Sequence, residues 1–154
     1  MIKRGFCLAA ISIVLCACGG LPGSSSFWRT GRDYRLTIVV ESREAVPVGF
    51  RGTDSTDIFL HVDSIAGDSA YGTFTTELWQ IGLRVGRIGA EQQRFHAITH
   101  ADSVSLTLVP DARDAGLHMR GANSAAGAAA GHWHTEAVPR SSGRFSLRLR
   151  ARPG

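Results

Sequence analysis

The chain has 154 residues, with 17 basic and 13 acidic side chains and a formal net charge of +4 at pH 7. Its three cysteines, Cys7, Cys16 and Cys18, all lie near the N-terminus. This excludes a disulfide framework, a cysteine-based zinc site and a thiol nucleophile from the rest of the chain. The arginines are scattered, so nothing indicates a nucleic-acid partner.

The first 17 residues have the layout of an export signal. Lys3 and Arg4 supply a positive start, and an uncharged apolar run at 6–17 follows, as in secretory signal peptides. The run is shorter than the ~20 residues that a helix needs to cross the hydrocarbon core of a bilayer. We therefore expect residues 1–17 to be a signal peptide rather than a permanent transmembrane anchor.

The end of this stretch resembles the lipobox of bacterial lipoproteins. Leu15 stands three residues before Cys18, and the small residue Ala17 directly precedes it. The resemblance implies that Cys18 becomes the lipidated first residue of the mature protein and attaches it to a membrane. In Gram-negative lipoproteins an Asp after this Cys marks retention in the inner membrane, so Gly19 implies a lipid-anchored protein of the outer membrane. The alternative is a secreted protein cleaved near Ala17.

Residues 18–26 are rich in Gly and Ser and are typical of a flexible tether. Residues 27–154 then have the length of one ordinary domain. Apolar and polar residues alternate over 33–42, over 57–63 and over 144–151, which predicts half-buried strands. Gly67 and Asp68 predict a hairpin turn before a strand at 69–78, and residues 94–100 and 103–109 predict a second hairpin that turns at 101–102.

The remaining segments are less regular. Residues 79–93 are interpreted as a Gly-rich strand, with a short helix at 90–95 as the competing interpretation. A short strand is expected at 117–119, a small-residue loop at 121–131, a strand at 131–137 and a turn at 139–143. Many short strands at regular spacing predict an all-β fold. We expect a single antiparallel up-and-down barrel of about eight strands, with a β-sandwich as the alternative, because alternation is the same in both.

The domain resembles the lipocalin and avidin-like barrels at its two ends. Lipocalins carry a Gly-x-Trp at the start of the first strand, and the Trp packs on an Arg near the end of the barrel. Here Trp28 follows Ser26 and Phe27, and Arg148 and Arg150 stand near the C-terminus, with Ser in place of the Gly. The resemblance implies a closed barrel that holds a small apolar molecule at an open mouth.

Two sets of residues are candidates for binding. If the barrel forms, its interior is expected to be lined by Tyr34, Leu36, Ile38, Val104, Leu106, Trp133, Phe145 and Leu147. These residues would contact the small molecule, although a filled core is the default role of such side chains. His132, His134 and Glu136 lie at i, i+2 and i+4 of a predicted strand, so all three share one face and offer ligand types that zinc accepts. An inward Trp133 would instead turn all three towards water.

No catalytic motif is present: the sequence has no Gly-x-Ser-x-Gly, His-Glu-x-x-His or phosphate-binding Gly-Lys-Ser/Thr pattern. We therefore expect a protein that is not an enzyme and needs no cofactor. The leading hypothesis is a lipid-anchored envelope barrel that binds a small, apolar molecule. The second is an envelope interaction protein with a filled core and an unidentified protein partner, and the third is a histidine-based metal-binding protein.

Overall fold

The computed structural model describes residues 27–44, 53–75, 93–110, 116–124, 127–136 and 140–151. The predicted signal peptide at 1–17, the tether at 18–26 with Cys18, and the Gly-rich strand expected within 79–93 lie outside these residues, apart from Gln93. In the part of the chain that the structure describes, no helix is long and apolar enough to span a membrane.

The described residues form eight β-strands in one closed barrel. Each strand pairs antiparallel with the next along the chain, and the last pairs with the first. This confirms the up-and-down barrel, and it rules out the sandwich because no strand is left at an edge between two sheets. The strands are β1 Asp33–Arg43, β2 Ser55–Ala66, β3 Ser69–Phe74, β4 Arg94–Thr99, β5 Ser103–Leu108, β6 Leu117–Ser124, β7 Ala128–Thr135 and β8 Ser141–Leu149.

The strands with the most regular sequences alternate buried residues with more exposed ones, as β5 does. In β5 the buried residues are Val104, Leu106 and Leu108, and the intervening Ser and Thr side chains face outward. The hairpin turn predicted between β2 and β3 is confirmed, with Gly67 at φ +59°. Such a positive φ is sterically accessible to glycine and costly for most other residues. The hairpin of β4 and β5 is confirmed as well, with the turn at 100–102.

Two sequence predictions are wrong, and both concern small residues. The loop expected over 121–131 is mostly strand, since β6 continues to Ser124 and β7 begins at Ala128. The turn expected over 139–143 is also too long, because β8 begins at Ser141. A short helix reaching Phe95 is likewise excluded, because Arg94 and Phe95 belong to β4.

Close packing of neighbouring strands explains the glycines in β6 and β7. Gly121 and Gly131 are direct partners across the two strands. A Cβ atom on either residue would collide with a backbone carbonyl of the opposite strand. The small side chains therefore mark a close approach of two strands rather than a flexible loop.

Glycines also make room for the large aromatic rings of the interior. Trp133 faces Gly143 across β7 and β8, and Phe95 faces Gly72 across β3 and β4. A Cβ atom on either glycine would meet the opposite ring. An aromatic ring that covers a glycine on the next strand restores the packing that the missing side chain would have provided.

The two ends of the barrel differ in their connections. At one end, here called the short-turn end, the strands are joined through residues 67–68, 100–102 and 125–127. At the other, the long-connection end, they are joined through residues 44–54, 75–93, 109–116 and 136–140. The N-terminal residues Phe27 and Trp28 are buried at the short-turn end, against Tyr34 near the start of β1.

Candidate functional site

The eight side chains expected inside the barrel are all buried there. Their exposed fractions run from 0% to 3%, and they come from β1, β5, β7 and β8: Tyr34, Leu36, Ile38, Val104, Leu106, Trp133, Phe145 and Leu147. Ligand binding by these residues stays a prediction.

Two aromatic side chains inside the barrel donate hydrogen bonds to the backbone. The Tyr34 hydroxyl donates to the carbonyl oxygen of Phe27 at 2.7 Å, and the Trp133 indole N–H donates to that of Val39 at 3.0 Å. Burial raises the pKa of the Tyr34 hydroxyl, because the phenolate form would lose its hydration. These bonds fix the aromatic side chains at both ends of the interior.

The described interior is packed tightly enough to exclude water from many of its side chains. Leu36, Ile38, Ile58, Leu60, Val62 and Leu147 each have 0% exposed surface. A side chain without exposed surface borders neither bulk solvent nor a void that could hold a water molecule. The space around these six residues is therefore filled by protein.

The lipocalin resemblance implies that Trp28 packs on Arg148 or Arg150. The ring of Trp28 lies 4.8 Å from that of Tyr34 and 5.9 Å from that of Phe95, between centroids. The Arg150 guanidinium carbon instead lies 5.0 Å from the centroid of the Phe59 ring, which is on the outer face. Arg148 is exposed.

The metal candidates His132, His134 and Glu136 all face water, because Trp133 between the histidines is buried. His132 lies between Arg120 of β6 and Arg144 of β8. Two positive neighbours disfavour a cation at His132. In the described ranges, no three His, Cys, Asp or Glu side chains are already arranged to hold a metal ion.

The structure pairs His134 with a histidine that the sequence analysis did not select. His118 of β6 is the cross-strand partner of His134, and their ring centroids are 5.7 Å apart. The His118 Nε2 atom lies 3.6 Å from the Glu136 Oε1 atom. The pairing of His118 with His134 cannot be read from the sequence unless the register of β6 against β7 is known. Because a loop was expected over 121–131, no pairing of these two strands was predicted.

Beside this pair, a polar groove of about 720 Å³ lies at the long-connection end. Glu44 and Arg140 are held together across it, since the Glu44 amide donates to the Arg140 carbonyl at 2.9 Å and the Glu44 carboxylate accepts from the Arg140 amide at 2.8 Å. The groove is lined by Ser42, Glu44, His134, Thr135, Glu136, Arg140, Ser141 and Ser142.

A second groove, of about 580 Å³, lies on the outer face of β3 and β4. There the exposed ring of Tyr71 stacks on His96, with the ring centroids 4.7 Å apart.

On the neighbouring face of β1 and β2, Arg35 and Thr37 donate hydrogen bonds to Asp57. The bond from Arg35 is the main cause of a lowered pKa of the Asp57 carboxyl.

Comparison with known proteins gave no match to a protein-family model, a curated protein or a solved structure.

Proposed function

We propose that this protein is a non-enzymatic, lipid-anchored protein of the bacterial cell envelope that binds a partner through the long-connection end of its barrel. The observation that carries this proposal is the difference between the two ends of the barrel.

The chain enters the barrel at the short-turn end. Phe27 is the first described residue, and its carbonyl oxygen is held by the Tyr34 hydroxyl at the short-turn end. Residues 18–26 therefore join the barrel at that end. With Cys18 acylated, the short-turn end faces the membrane and the long-connection end faces away from it. Surface connections on a rigid scaffold are where proteins most often carry binding residues.

The polarity of the barrel supports a location in water. Its buried face is apolar, whereas the outward positions of β8 are occupied by Ser142, Arg144, Ser146 and Arg148. Barrels that span membranes have the opposite order, with an apolar band outside. A polar exterior supports a barrel that stands in water beside the membrane and is held there by its tether.

The interior of the barrel is closely packed. Six apolar side chains of β1, β2 and β8 have no exposed surface. This supports a filled core, rather than an internal cavity, beside these strands. A filled core favours recognition through the surface, because a buried apolar molecule would need a void bordered by such side chains.

Binding of a small apolar molecule is the second candidate function. It is favoured by the lipocalin-like asymmetry of the barrel, because the buried aromatic residues Phe27 and Trp28 occupy the short-turn end. A ligand would then enter from the long-connection end and lie against Trp133 and Phe145, both of which belong to the predicted lining.

The anchor is tested by expressing the full chain in a Gram-negative host with radiolabelled palmitate. We expect label on the unaltered protein and on Cys16→Ser, which is the matched control, and no label on Cys18→Ser. An unlabelled natural chain, or equal labelling of Cys18→Ser, would refute the anchor.

The two binding candidates are distinguished by native mass spectrometry of the Cys18→Ser protein, whose covalent mass is that of the polypeptide alone. A bare polypeptide mass supports recognition through the surface. An organic adduct that persists through purification supports the small-molecule carrier and overturns the filled-core proposal.

A further inference from the structure

We propose that His118 and His134 bind one divalent transition-metal ion such as Zn²⁺ on the outer face of the barrel, with Glu136 as a third ligand. This set differs from the triad His132, His134 and Glu136 that the sequence suggested, because the register of β6 and β7 replaces His132 with His118. The proposal is independent of the lipid anchor and of the nature of the partner.

The separation of the two imidazole rings fits a shared ion. In a zinc site each histidine nitrogen lies 2.0–2.1 Å from the metal, so each ring centroid is about 3.2 Å from it. Two such rings in tetrahedral geometry have centroids about 5.2 Å apart. The observed 5.7 Å between His118 and His134 is within about half an ångström of that value. The two rings are stacked with their planes 30° apart, so the exposed His134 ring must turn about its side-chain bonds before both rings direct a nitrogen at one ion.

The surroundings of His118 leave its Nε2 atom available as a ligand. The Nδ1 atom lies 3.3 Å from the Thr107 hydroxyl oxygen, which accepts a hydrogen bond when Nδ1 carries the proton. Metal-binding histidines are usually oriented by such a partner on the second nitrogen. Gly116 lies beneath the Nε2 side of the ring, where a Cβ atom would collide with it. Nε2 then points towards Glu136, at 3.6 Å from Oε1.

Glu136 is exposed and follows the last residue of β7, so its carboxylate can turn towards both rings without unpacking the core. Two histidines and one carboxylate form a ligand set used by zinc sites that keep a fourth position open. His134 and Glu136 also line the groove at the long-connection end, whose charged lining residues are Glu44, Glu136 and Arg140. Two carboxylates against one guanidinium favour a cation.

The test uses the full chain in mild detergent, with Cys7, Cys16 and Cys18 changed to Ser so that no thiolate competes for metal. Co²⁺ is the first probe, because tetrahedral Co²⁺ absorbs strongly in the visible range, and Zn²⁺ is then titrated to displace it. We expect one equivalent to bind. His118→Ala and His134→Ala should each weaken binding at least 10-fold, and Thr107→Val should weaken it about 10-fold through loss of the orienting bond.

His132→Ala is the matched control, because His132 is an exposed histidine on the same strand and face as His134. Its affinity should equal that of the unaltered chain. His118→Asn and His134→Gln, checked by thermal melting, replace any alanine variant that does not fold. The proposal is overturned if no Co²⁺ band appears, if the His118 variants bind as well as the unaltered chain, or if His132→Ala weakens binding as much as His134→Ala.

Discussion

Replacement of Trp133 by Ala should strongly destabilise the barrel. Trp133 is 1% exposed, and its ring fills the space over Gly143 on the neighbouring strand. A tryptophan buries about 150–250 Å². At ~25 cal/mol per Å² this corresponds to about 4–6 kcal/mol as an upper estimate. Core Trp→Ala replacements cost about 3–5 kcal/mol.

We expect Trp133→Ala to cost about 4–5 kcal/mol, the upper half of the range for core Trp→Ala replacements, for two reasons. First, β7 and β8 are held by their hydrogen-bonded ladder, so the strands cannot close the space that the ring leaves. Second, the hydrogen bond from the indole N–H to the part-buried Val39 carbonyl is lost, and such a bond contributes about 0.5–1.5 kcal/mol net. Trp133→Phe, which keeps an aromatic ring but not the donor, should lie between Trp133→Ala and the unaltered protein.

The assay is urea unfolding at equilibrium, followed by far-UV circular dichroism so that loss of a tryptophan does not alter the signal. Phe59→Ala is the matched control, since Phe59 is 38% exposed on the outer face, and it should cost about 1 kcal/mol or less. An unfolding free energy of Trp133→Ala no lower than that of Phe59→Ala would refute the assignment of Trp133 to the core.

Two further predictions concern titratable groups. Tyr34→Phe should cost about 1–3 kcal/mol at neutral pH, because the buried Phe27 carbonyl loses its donor. Burial raises the pKa of Tyr34 in the folded state, so its neutral form stabilises the fold below the ordinary tyrosine pKa and this contribution falls as pH rises above it. As pH rises above 10, the unfolding free energy of Tyr34→Phe in urea should therefore fall less than that of the natural chain. An equal fall contradicts the assignment. Asp57 has the opposite sign: its hydrogen bond from Arg35 lowers its pKa, so the pair stabilises the fold above the ordinary aspartate pKa and this contribution is lost as pH falls through the folded pKa. Asp57→Asn should flatten the acid side of the stability profile measured by urea unfolding, and an unchanged profile contradicts the link.

The strands with strict alternation could be predicted from the sequence alone. β1, β5 and β8 place apolar residues at every second position, and that period by itself tells which side chains face the core. For the same reason the eight predicted interior residues are all buried. The Gly67 turn was also predictable, because a positive φ is a local property of the backbone.

The small-residue stretch shows where local pattern fails. Residues 121–131 contain too few side chains with a preference for strands, so they resemble a loop in the sequence. In β6 and β7 the conformation is determined by the neighbouring strand: Gly121 and Gly131 approach so closely that no larger residue fits. A preference that arises from a contact between strands is not visible in either strand alone.

The residues of the candidate metal site were likewise only partly predictable from the sequence. The sequence by itself determined that His132 and His134 share a face and that an inward Trp133 turns both towards water. Only the tertiary structure decided which histidine lies opposite His134, because the register of β6 against β7 brings His118 to it and places Arg120 opposite His132. Alternation has a period of two within one strand, whereas the distance between two ligands on different strands depends on how those strands are aligned.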